Sequence, residues 1–175
     1  SPKSQEQIGY LPEERGLYKK MKVFDQLMYL AQLKGLSQTA AKTAIEFWLD
    51  RFEASSWKKK EVSELSKGMS QKIQFIATVA HDPEIYIFDE PFSGLDPINS
   101  EMLKEVILEE KKRGKTILFS THRMEQVEQM CDDICLFNQG KGVLQGNLRT
   151  IKQSFGNNTV LLDFIGDSEF LNQLE

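Results

Sequence analysis

Ile85-Tyr86-Ile87-Phe88-Asp89-Glu90-Pro91-Phe92-Ser93-Gly94-Leu95-Asp96 is the stretch on which the reading of this chain turns. A short apolar strand ends in two adjacent carboxylates, Asp89 and Glu90. Pro91 cannot continue the strand, and a Ser93-Gly94 turn leads to another acid, Asp96. In open α/β sheets, ligands bind beyond the carboxyl ends of the strands. Asp89 and Glu90 therefore stand where a ligand is expected, and a buried strand tolerates acids poorly without a reason. Taken alone, the stretch is equally well read as a polar strand end followed by a helix cap.

The flanking pattern extends that strand into a sheet. Asp96 is suited to cap a helix that begins at Pro97, a residue at home in the first helical position, and Gly114 ends it. A strand at Thr116–Ser120, a helix from about Arg123 to Met130 and a strand at Ile134–Phe137 follow. Strands alternating with helices over short links imply a parallel sheet. Beyond Phe137 the character changes. Gly140-Lys141-Gly142 reads as a hairpin turn into Val143–Gln145, followed by a short helix near Leu148–Ser154 and a strand at Thr159–Ile165 before a Gly166-Asp167 turn.

Toward the N-terminus, Ile8–Leu11 is a short strand stopped by Pro12. Val23, Leu27, Leu30 and Leu33 recur at helical spacing up to Gly35. Ser37 is a fitting N-cap for a second helix with Ala41, Ile45, Trp48, Leu49 and Phe52 on one face. A third helix spans about Ser66 to Ala80, with Ile73, Ile76 and Val79 on its apolar face. Two consecutive helices and a basic, polar connection describe a helical subdomain.

Composition narrows the class. A chain of 175 residues, 40% hydrophobic and 27% charged, is a single globular domain or a large part of one. A net charge of −4 argues against a chain that binds nucleic acid through its overall field. Lys58-Lys59-Lys60 is short and is followed by Glu61 and Glu64, so it reads as a solvated linker. Cys131 and Cys135 have no His or Cys neighbour to complete a metal site and read as thiols of a reducing compartment. No apolar run is long enough to span a membrane.

The order and spacing of four motifs resemble the ATP-binding subunit of an ABC transporter. The Asp-Glu-Pro stretch resembles that family's Walker B strand and D-loop. Leu65-Ser66-Lys67-Gly68-Met69 resembles the signature that opens a helix, Ser120-Thr121-His122 resembles the switch histidine region, and Gly9-Tyr10-Leu11-Pro12-Glu13 resembles the Q-loop. The resemblance covers about residues 8 to 122. It implies an α/β fold of the P-loop NTPase type, with a mostly parallel sheet, a helical subdomain and a small α+β C-terminal tail. It also implies ATP and Mg²⁺ as cofactors. The organisation it implies is 1–20 for the Q-loop strand and connection, 21–65 for the helical subdomain, 66–138 for the second part of the ATPase core, and 139–175 for a C-terminal extension.

The chemistry of the residues agrees with that expectation. Hydrolysis of a nucleotide γ-phosphate depends on positioning and charge neutralisation. Asp89 suits Mg²⁺, through water, and Glu90, pointing the other way along the strand, can polarise the attacking water. His122 can reach the γ-phosphate as a donor, although taken alone it is better read as a histidine satisfied at a helix start. Ser66, Lys67, Gly68 and Met69 place a hydroxyl and backbone N–H groups at a helix N-terminus. The resemblance implies that they meet nucleotide held by the opposite subunit of a head-to-tail dimer, with Asp96 at the subunit interface; a plain N-cap also accounts for Ser66. His81, in a His-Asp-Pro turn, is assigned no role.

Three positions depart from the family pattern. Lys67 replaces a glycine, Met69 replaces a glutamine, and Glu13 replaces the Q-loop glutamine while remaining able to ligate Mg²⁺. With the Tyr10–Tyr18 context and the tail after Phe137, these resemble the ABC-2 subgroup of sodium and drug exporters. No G-x-x-x-x-G-K-[ST] loop occurs, and Gly114-Lys115-Thr116 follows a helix into a strand, the wrong order for a phosphate cradle. The resemblance therefore implies a fragment whose Walker A loop lies upstream of Ser1. Its strand would sit between Thr116–Ser120 and Ile134–Phe137.

The function so implied is that of an ATPase subunit powering export, peripheral at the cytoplasmic face of the membrane. Its partners would be a membrane subunit and a second ATP-binding subunit, not nucleic acid. The alternatives are a non-transport ABC ATPase and a non-hydrolysing interaction module. The first would favour basic linkers or coiled-coil insertions, which are absent, and Asp89, Glu90 and His122 weigh against the second.

Overall fold

The structure, a computed structural model, describes residues 6–14 and 16–155. It divides into two compact units, Ser1–Met124 and Glu125–Glu175. The expected strand at Thr159–Ile165 and the turn after it lie outside the described residues.

In the first unit, β1 (Ile8–Leu11), β2 (Ile85–Asp89) and β3 (Thr116–Ser120) form a parallel sheet in the order β1-β2-β3. The register aligns Leu11 with Phe88 and Asp89 with Ser120, so all three strands end at one edge. The helices are α1 (Val23–Leu33), α2 (Gln38–Arg51), α3 (Lys67–Val79) and α4 (Pro97–Lys112). Their starts follow local chemistry. The side chains of Ser37, Ser66 and Asp96 each accept a backbone N–H three residues on, from Ala40, Met69 and Asn99.

α3 is the central strut. Ile73, Phe75 and Ile76 are fully buried, and an aromatic succession runs from Trp48 and Phe52 on α2 through Phe75 on α3 to Phe88 and Tyr86 on β2. The ring centroids are 5.4–6.2 Å apart, and these large buried surfaces bind the helical subdomain to the sheet. Gly9 allows β1 to lie directly on α3, because a Cβ there would come within 2.7 Å of the Thr78 carbonyl oxygen.

The connection expected to be a solvated linker is part of the fold. Two short 3₁₀ turns, Ser55–Trp57 and Val62–Glu64, interrupt it. The carbonyls of Lys60 and Lys58 accept from the N–H groups of Val23 and Phe24, and those of Met21 and Lys19 accept from Val62 and Ser63. The Lys58–Lys60 run thus satisfies the first donors of α1, which Lys22 does not cap with its side chain.

From the boundary onward, α5 (Met124–Met130) precedes β4 (Asp133–Asn138), β5 (Lys141–Asn147) and α6 (Leu148–Phe155) of the second unit. The strand expected to continue the parallel sheet instead pairs antiparallel with β5 in a sheet of its own. The turn is Gln139-Gly140, one residue earlier than expected, and both residues have positive φ, 48° and 73°. A two-residue turn of that hand closes a hairpin, and its strands can only pair antiparallel.

Candidate functional site

The strand ends of β2 and β3 bring the chemistry together. Asp89, the last residue of β2, faces Ser120, the last of β3, and the Ser120 hydroxyl donates to the Asp89 carboxylate. The next residue, Glu90, has φ +45°, a left-handed conformation unusual for a residue with a side chain. Its N–H still donates to the Ser120 carbonyl at 3.2 Å, and the backbone then turns away from the sheet. This turn carries the carboxylate to the β3 side. There it accepts from the backbone N–H of His122 at 3.0 Å and lies 2.7 Å from His122 Nδ1. Thr121 Oγ1 approaches the other carboxylate oxygen at 3.5 Å.

The tautomer follows from that geometry. A carboxylate only accepts, so Nδ1 carries the hydrogen toward Glu90. The imidazole is largely exposed, and its Nε2 faces outward as an acceptor when neutral and as a donor when protonated. Asp89 and the Ser120 hydroxyl present oxygen to a hard cation. That fits Mg²⁺, which takes one or two carboxylates and completes its shell with water and phosphate oxygens. Among the described residues, no group of three His, Cys, Asp or Glu forms an all-protein cage.

The first turn of α3 abuts the loop after β2. A Cβ on Gly68 would lie 3.4 Å from the Gly94 carbonyl oxygen, and the methylene stem of Lys67 crosses the face of Gly94. Gly94 has φ +77°, and a Cβ there would come within 2.4 Å of Lys67 Cε. The Ser66 hydroxyl accepts from Met69 N at 3.2 Å, and Met69 is half-buried. Asp96 follows at the start of α4. Its carboxyl is held below the usual range by the Asn99 backbone N–H and then by the Asn99 side chain. Ser66–Met69 thus adjoin the loop between Glu90 and Asp96. Glu13 is exposed, and no hydrogen bond or ion pair joins it to Asp89.

Sequence reasoning passed over the side chains that hold these loops. Gln71 donates to the Pro91 carbonyl at 3.0 Å, and Gln74 donates to the carbonyls of Pro12 at 3.3 Å and Glu14 at 3.1 Å. Thr78 reaches the Tyr10 carbonyl at 3.4 Å. One buried helix thereby fixes both the loop bearing Glu90 and the loop bearing Glu13. The signal was available: Gln71, Gln74 and Thr78 interrupt the apolar run of α3 at helical spacing. In the sequence, Ser120 stands out only as the strand end beside His122.

A groove of about 600 Å³ lies between α2, the end of α3 and Arg113. Leu36, Ala40, Ala44, Phe47 and Trp48 give it an apolar wall, and Asp82 and Arg113 stand at its polar end. His81 also lines it, buried, with Nε2 3.3 Å from the Ile8 carbonyl. Burial, and then the nearby Lys34 ammonium, push its imidazole down to about 4.

Residues 1–93 match the family model described as ABC transporter. The chain belongs to the ABC transporter family. This ABC transporter ATP-binding domain is 54% identical over 168 residues to the ABC transporter ATP-binding protein YhaQ of Bacillus subtilis, covering 96% of this chain and 56% of that protein. The chain therefore spans little more than half the length of that relative. A solved structure described as the ATP binding subunit of an ABC transporter superposes with a TM-score of 0.82 at 31% identity, covering 89% of this chain and 65% of the other. CbiO1 from Clostridium perfringens, described as part of the ABC transporter complex cbiONQ, gives 0.68 at 25% identity, covering 85% and 60%. The α/β architecture with its parallel sheet is thus that of ABC ATP-binding subunits.

Proposed function

We propose that the protein containing this chain is the ATP-hydrolysing subunit of an ABC transporter and that Glu90 and His122 carry its catalysis. The contact between Glu90 and His122 is the observation that carries this reading. Glu90 polarises the attacking water, and His122, held through Nδ1–H, donates Nε2–H to the γ-phosphate in its imidazolium form. Asp89, with Glu13 assisting, holds Mg²⁺, which when bound supplies charge neutralisation at the phosphates. Ser66, Lys67, Gly68 and Met69 meet nucleotide held by a second, head-to-tail ATP-binding subunit, and Asp96 lies at that interface. The phosphate loop comes from outside residues 1–175, so this chain alone is inactive and holds Mg-ATP weakly.

The divisions 1–20, 21–65, 66–138 and 139–175 serve as Q-loop connection, helical subdomain, catalytic half and C-terminal extension. The groove on α2 receives an amphipathic helix of a membrane subunit, which keeps the protein at the inner face of the membrane. Among the described residues no helix is long and apolar enough to cross a membrane. Lys67, Met69 and Glu13 support an exporter of the ABC-2 type.

The decisive experiment is Glu90→Gln in the full-length protein, read by phosphate release and by nucleotide-dependent dimerisation. Turnover falls by roughly 100-fold or more, as for loss of a general base, and ATP-bound dimers accumulate. Turnover near wild type would sink the assignment.

A further inference from the structure

Two lysine-rich runs far apart in sequence are brought side by side at the surface. Lys19, Lys20 and Lys22 lie beside Lys58, Lys59 and Lys60, because the Lys60–Val23, Lys58–Phe24, Lys19–Ser63 and Met21–Val62 backbone hydrogen bonds, all 2.9–3.1 Å, zip the two segments together. A bridge between Lys22 and Glu61 continues the pairing. Lys58 is committed, its ammonium 3.6 Å from Glu46 and over the Phe24 ring. Lys19, Lys20, Lys22, Lys59 and Lys60 are exposed, and none of them forms a salt bridge among the described residues.

The neighbouring acids offset only part of the charge, three carboxylates against five lysines without a salt bridge among the described residues. Glu61 and Glu64 are engaged in a reciprocal capping box on the Val62–Glu64 turn, and Asp25 sits in the first turn of α1. Beside the lysines stand Tyr18 and Tyr29, 56% and 47% exposed and packed edge to face at 6.4 Å.

We propose that this face docks on a membrane surface of anionic phospholipid headgroups. Compact lysine charges on flexible stems match a fluid sheet of phosphates, and clusters of this size are drawn to anionic leaflets. Exposed tyrosines are the side chains that rest at headgroup level, ring inward and hydroxyl in water. The chain as a whole carries −4, so an anionic surface attracts this face and repels the remainder, which orients the domain. The inference rests on the reading that the protein works against a membrane, and adds to it a contact with the lipid itself.

The test is co-sedimentation of the full-length protein with phosphatidylcholine vesicles, with and without phosphatidylglycerol. The expected result is binding only to the vesicles containing phosphatidylglycerol, weakened by salt. The triple variant Lys19→Glu, Lys20→Glu, Lys59→Glu lowers that binding about ten-fold or more. A matched variant, Lys42→Glu, Lys112→Glu, Lys141→Glu, binds as wild type, and the triple change to Gln loses an intermediate amount without altering thermal stability. Equal binding to both vesicles, equal loss in both triple variants, or preferential capture of duplex RNA by the same lysines would overturn the proposal. Absent vesicle binding with intact ATP turnover sinks the lipid contact alone. Vesicle binding without ATP turnover sinks the ATPase reading alone.

Discussion

His122 Nδ1 lies 2.7 Å from Glu90 Oε1, across 32 positions of sequence, and the His122 backbone N–H donates to the same oxygen at 3.0 Å. One residue therefore holds the carboxylate twice, once through a side chain that can be removed and once through a backbone that cannot. The left-handed turn at Glu90 is what makes this approach reachable from the end of β2.

Replacing His122 by Ala keeps the backbone donor, so Glu90 stays in place while the imidazole is lost. Turnover of the full-length protein falls about 100-fold, the lower end of the range for a lost acid–base partner, with little change in KM for Mg-ATP. Steady-state kinetics checks this; a rise in KM with unaltered kcat would assign His122 to substrate binding instead.

Gln74→Leu keeps the volume on α3 but frees the carbonyls of Pro12 and Glu14. The expected cost is about 1–3 kcal/mol of stability, measured by urea unfolding. Protease cleavage should become faster around Glu13. Unchanged protection of that loop would show that other contacts hold it.

His81 supplies a pH dependence whose sign is fixed. Its imidazole is pushed down to about 4 in the fold by burial and then by Lys34, while the Ile8 carbonyl and Asp82 oppose the shift. An unfolded chain binds that proton near the ordinary value of about 6.5, so the unfolded state carries more protons between these limits. Stability is present in full above about 6.5 and is lost as pH falls toward 4, by about 2 kcal/mol after allowance for screening. His81→Gln should flatten the stability profile over this window. An unaltered slope would place the titration on other groups.

Filling the groove separates docking from folding. Ala44→Arg puts a long charged side chain into the wall formed by Leu36, Phe47 and Trp48. Co-purification of a membrane subunit should be lost while the variant remains folded by circular dichroism. Retained co-purification would move the docking site elsewhere.

Sequence by itself determined the elements and the order of the motifs. The strands Ile8–Leu11 and Thr116–Ser120 lie where the apolar runs and their stops put them, and Ser37, Ser66 and Asp96 cap the helices their chemistry announced. These signals act over one turn or one strand, between residues a few positions apart. Tertiary structure alone decided that Gln71 and Gln74 hold two distant loops and that two lysine runs lie side by side. Each of these depends on backbone groups brought together by burial of the α1, α2 and α3 faces. A lone Gln or a run of three lysines has the same local preferences whether or not a carbonyl or a second run waits across the fold. The partner is supplied by packing, and packing is a property of the whole chain.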